Sequence, residues 1–133
     1  MKPKALVLVR ACCWLGAAFD AAMVVPMLVP PVGARVFGIE NFHPGADYRF
    51  AMLLASALML GWTALLLWAS RKPLERKAVL LLTVVPVIAG LAAAGVFAVA
   101  QGLITAGRMA PTWIIQAALA ATFTYAYSIS KNE

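Results

Sequence analysis

One carboxylate set among apolar residues governs what chemistry this chain could do. Asp20 lies in the run ALVLVRACCWLGAAFDAAMVVPMLVP, residues 5–30. A helical span takes ~20 apolar residues, so the run is long enough to cross a bilayer. A charge in such a place costs roughly 2.5–3.5 kcal/mol if nothing pairs with it. Arg10, in the same run, can relieve its own cost by snorkelling, because it lies only ~9 Å along the helix from Lys4. Asp20 has a short side chain and stands ~15 Å from Pro30. It is also ~15 Å along the axis from Arg10 and ~80° around it, too far to pair. Its carboxyl must face protein, water or a ligand, or else hold a proton. An acid so placed can carry a proton, bind a cationic ligand, or anchor neighbouring helices.

Other polar residues fall on the same side of the membrane when the spans are threaded. Ser56, Gln101 and Gln116 lie at or beyond mid-depth there, and His43, Tyr48, Arg49, Arg108 and Trp113 stand near the mouth. With Asp20 they are expected to form a polar pocket opening outward, with Asp20, Gln116, Gln101, Ser56, Arg49 and His43 as its proton- or ligand-binding set. No catalytic residue is assigned, because one mid-membrane acid and one loop histidine do not make an acid–base pair. The methionines at 23, 27, 52, 59 and 109 and the thiols Cys12 and Cys13 have soft-metal chemistry. Thioethers also fill irregular cores, and the cysteines fall toward the opposite side, so neither a metal nor a cofactor is expected. The chain carries no Gly-rich phosphate loop, zinc signature or G-x-S-x-G.

The elements that must position these residues are helices. The apolar fraction is 64% and the charged fraction 12%, against roughly 45–50% and 25% in soluble domains. Mean hydropathy is +0.90. This reads as an all-α integral membrane four-helix bundle, one domain over residues 1–133, with spans at about 5–30, 50–69, 78–100 and 110–129. Pro26 and the Pro30-Pro31 pair should bend and then end the first span, and Pro86 should kink the third. Pro111 suits the first turn of the fourth. Adjacent Cys12 and Cys13 exclude a disulfide framework within the chain. The MKPK start is read as the head of a retained helix, since apolar character runs too long for a cleaved signal.

Charge sets the topology. With both termini cytoplasmic, the inner side holds Lys2, Lys4, Arg71, Lys72, Arg76, Lys77 and Lys131, and the outer side only Arg35, Arg49 and Arg108. RKPLERK is then a tight cytoplasmic turn whose work is topological, and the net charge of +6 answers to anionic lipid, not to nucleic acid. The long outer connection from Pro31 to Tyr48 interleaves Val32, Val36, Phe37, Ile39 and Phe42 with Arg35, Glu40, Asn41 and His43. It should lie in the interface or fold over the bundle.

Small and weakly polar stripes suggest which faces meet. They are Cys13, Gly16, Ala17 and Asp20 with Met23 and Met27 in the first span; Ser56, Thr63 and Ser70 with Met52 and Met59 in the second; Gly90, Ala94, Ala98 and Gly102 in the third; and Thr112, Gln116, Ala120, Thr124 and Ser128 in the fourth. Two functional classes follow. One is a protein of the prokaryotic cytoplasmic membrane that binds or transports a small lipophilic or cationic ligand, with proton coupling through Asp20. The other is a non-catalytic accessory subunit whose polar positions serve assembly, as a homo-oligomer or with another membrane protein. A membrane enzyme acting on a lipophilic substrate ranks third.

Overall fold

A computed structural model describes residues 2–131, which are helical with no strand among them. Met1, Asn132, Glu133 and the side chain of Lys2 lie outside the described residues, so the extreme ends that the charge bias assigns to one side do too. Helix α1 is Lys2–Leu28, α2 is Pro30–Phe37 and α3 is Ala46–Arg71. Then come α4 (Ala78–Leu82), a π-helical stretch (Thr83–Ile88), α5 (Ala89–Ala100) and α6 (Ala106–Lys131). Three helices are long and apolar enough to cross a membrane: Pro3–Leu28, Ala46–Arg71 and the continuous Ala78–Ala100. Helix α6 matches α3 in length but carries Arg108, Gln116 and several hydroxyls, and falls short in apolarity. The exterior is apolar, with Val7, Leu58, Phe97 and Ile114 all largely exposed. An outer surface of that kind suits lipid, not water.

The core sits at one end. Val9, Cys12, Cys13, Ala17, Leu66, Ala69, Val79, Leu80, Phe123 and Ala126 form a single buried cluster, near the basic end of the bundle that carries Lys4, Lys72 and Lys131. Helix α1 is central: it packs along α3, and α6 lies against it and against the α4–α5 span. A side chain at Gly16 would come within 3.0 Å of Leu66 and 3.2 Å of Phe123. That glycine is the notch by which α3 and α6 both close on α1.

Three cations at the basic end also satisfy helix-end carbonyls. Arg10 donates from Nε to Ser70 O at 3.2 Å. Arg76 donates to Trp68 O at 2.6 Å and stacks over the Trp68 ring, 3.5 Å from its centroid. Lys77 donates to Ser130 O. These are last-turn carbonyls of α3 and α6, without donors inside their own helices. The RKPLERK turn therefore caps two helices, and Arg10 is anchored at α3's end.

Elsewhere the structure departs from expectation. The connection after α1 is not all loop. Val29 is extended, and Pro30 then opens α2 at a position where its missing N–H costs nothing. Gly38 closes α2 in the left-handed region, φ 69°, with Ile39 N bonding Ala34 O at 3.1 Å. At Pro86, where a kink was expected, the chain widens to π winding over Thr83–Ile88 and continues as α5. The small-residue stripe of α5 looks outward, since Gly90 and Ala94 are exposed and a side chain at Gly90 would meet nothing within 4 Å. The close approach is at Gly95, where a side chain would come within 2.5 Å of Met109 and 2.9 Å of Trp113. Lipid is as apolar as protein, so fit around Trp113 selects the face and a run of small residues alone does not. On α6, Thr112, Thr124 and Ser128 are exposed as well. Hydroxyls on that outer side, Thr122 and Ser128, bond carbonyls of their own helix, which lets them face outward.

Candidate membrane-embedded site around Asp20

The closure at Gly16 fixes what stands level with Asp20. Helices α3 and α6 both run antiparallel to α1, so one turn beyond the Gly16–Leu66–Phe123 layer brings Asp20 to the height of Trp62 on α3 and Leu119 on α6. Both of those residues pack on the rim of the buried cluster. Trp62 donates from Nε1 to Thr83 Oγ1 at 3.1 Å, and Thr83 in turn donates to Val79 O at 2.8 Å. Thr83 is thereby saturated as donor, and the start of the π-helical stretch is pinned to α3. Asp20 is the first inward-facing position of α1 past the core.

Its carboxyl is alone. Asp20 is half-buried, and its Oδ2 is closed off from solvent with no hydrogen-bond partner. No cation reaches it among the described residues. Arg10 is engaged with Ser70 O, and Arg108 with Glu40 at 2.6 Å and Gly38 O at 3.1 Å. Arg49 is exposed and lines a small cavity of about 210 Å³ with Met27, Leu28, Pro30, Tyr48 and Leu53, where α1, α2 and α3 meet. The arrangement offers a carboxylate in an apolar wall with no resident counter-charge. That combination can take a proton or a cation.

The other expected members scatter. Ser56 faces inward and is buried, but its hydroxyl is spent on Leu53 O at 2.9 Å. Gln116 is half-buried with Oε1 unpartnered, and it lines a groove on the α5 side of α6 that Asp20 does not line. Gln101 caps the end of α5 and is exposed, as is His43 in the link between α2 and α3. Neither makes a hydrogen bond to Asp20. The Trp62–Thr83 bond across α3 and the π-helical stretch was not singled out from sequence. The signal for the level of Trp62 lies in the spacing of Gly16 from Asp20, which sets the register once α3 is known to pack there. Among known proteins the chain matches no family model, no curated protein and no solved structure.

Proposed function

We propose that the chain is a four-span protein of the cytoplasmic membrane, both termini inside, that binds a lipophilic cation at Asp20, with a proton as the competing occupant. The observation that carries this reading is the half-buried Asp20 carboxyl, unpartnered and just beyond the core. A carboxylate in apolar surroundings gains most from a cation that sheds water cheaply. The concentration of buried residues at the basic end supports an outer half loose enough to admit such a ligand. The seven-to-three excess of Lys and Arg at the basic end supports the orientation. Cysteines introduced at His43 and at Lys131 should label from opposite sides of the membrane; labelling from one side would overturn the four-span topology.

The test of function uses tetraphenylphosphonium as a probe of lipophilic-cation binding to purified protein. Wild type should bind it saturably and more weakly as the medium is acidified, because proton and cation compete for one carboxylate. Asp20→Asn keeps the shape and deletes the charge. It should weaken binding at least about tenfold and remove the pH dependence. Equal binding by wild type and variant would refute the assignment. A second reading, assembly with another membrane protein, is favoured by the outward face of Gly90 and Ala94, which offers a neighbouring helix close approach. It predicts that wild type binds no probe and that Asp20→Asn changes the size of the assembly.

A further inference from the structure

A second site lies between the α4–α5 span and α6, and Asp20 is not among its lining residues. Between the α4–α5 span and α6 runs a groove of about 510 Å³, walled by apolar side chains such as Val84, Ile88, Ala92 and Ala120. Its size falls in the range of small-molecule sites. Only Trp113 and Gln116 bring polar groups to its lining. Both are anomalous: the indole Nε1 of Trp113 and the amide Oε1 of Gln116 are closed off from solvent, and neither has a hydrogen-bond partner. The indole nitrogen is pressed against the Gly95 backbone, where a side chain would come within 2.9 Å of it.

The two orphans are a donor and an acceptor, three positions apart on one helix and therefore on one face. Buried polar groups are nearly always paired, so an unpaired donor and acceptor side by side need an explanation. On the four-span reading proposed above water does not supply one, because Gln116 lies ~15 Å along α6 from its start at Ala106, within the apolar depth of a span. Acyl chains of bulk lipid fit the apolar walls but offer neither orphan a partner. A hydroxyl supplies the amide, donating to its carbonyl oxygen, whereas the indole N–H is turned to the Gly95 backbone. Rotation of the Gln116 amide about its terminal torsion turns the oxygen toward an occupant.

We infer that this groove is a binding site for a slender lipophile carrying a hydroxyl, its hydrocarbon along the α5–α6 walls and its hydroxyl at the Gln116 amide. The same hydroxyl in bulk lipid at this depth has no partner, and that difference supplies the selectivity.

The test reads intrinsic tryptophan fluorescence in detergent micelles, titrated with a dodecanol brominated beside its hydroxyl and, separately, with the matching bromododecane. Wild type should show saturable quenching by the alcohol, at a half-saturating concentration about fivefold below that of the alkane, as expected for one buried hydrogen-bonded group. Gln116→Met, equal in length but without the amide, should bring the alcohol to the alkane's level. Ala92→Phe, which fills the groove, should abolish saturable quenching by both while leaving Gln116 in place. Equal quenching by alcohol and alkane in wild type would overturn the proposal, leaving a groove for bulk acyl chains only. So would an alcohol preference that survives Gln116→Met.

Discussion

Replacing Phe123 with alanine should lower stability by roughly 2–3 kcal/mol, from the cavity term of ~24 cal/mol per Å³ over ~100 Å³ of lost ring. Phe123 is 1% exposed and is the largest fully buried side chain. It fills the space that Gly16 leaves open, where α6 meets α1 opposite Leu66. In a soluble core the loss would also include transfer of the ring out of water. Here lipid is as apolar as the core, so that part drops out and lost packing remains. Unfolding in mixed micelles measures the effect, and a midpoint like that of wild type would mean that α6 is not held at this layer. Phe123→Leu, which keeps most of the volume, should cost markedly less.

Gly33→Ala should destabilise the protein by about 1–3 kcal/mol, the usual cost of forcing atoms into filled space. A Cβ there would stand 2.5 Å from the carbonyl oxygen of Pro26. That oxygen is backbone and cannot swing aside as a side-chain tip would. It also lacks its normal helical donor, because residue 30 is proline and has no N–H. The bare Gly33 backbone settles over this unbonded carbonyl, and so α2 folds back against the end of α1. With alanine, α2 must lift away, and the link that carries Glu40 to Arg108 moves with it. Gly61→Ala is the control, since a side chain there meets nothing within 4 Å. It should be neutral or stabilise by about 0.5–1 kcal/mol. Equal melting of the two variants would show that the Pro26–Gly33 contact does not hold α2.

How far the sequence could be read depended on whether a feature is local or relational. The apolar runs are local, and helices occupy the four stretches expected for spans, although α6 is too polar to count with the other three by apolarity. The inward face of α1, with Cys13, Gly16, Ala17, Asp20, Met23 and Met27, followed from helical spacing. Helix α2 was missed although its signals were present, with Pro30 at a helix start and Gly38 at a helix end; alternating apolar and polar residues made eight residues look like loop. The π winding at Pro86 was not legible, because proline announces a kink and not the winding by which the helix absorbs it. The stripe at Gly90 was a relational error. Which face of α5 packs is decided by Trp113 and Met109 seating on Gly95, residues far away in the chain. For the same reason the separation of Asp20 from Arg10 could be foreseen, whereas its lack of any partner and the Trp62–Thr83 pair could not.

The most direct test of the central claim, that Asp20 is a ligand-accessible and unpaired carboxyl, is modification by dicyclohexylcarbodiimide followed by peptide mass spectrometry. The reagent partitions into apolar regions and attacks carboxyls that can hold a proton there and lack a bonded cation. An adduct at Asp20 is expected, with progressive protection as tetraphenylphosphonium is added. An Asp20 that stays unmodified, or that is modified equally at saturating probe, would contradict that claim.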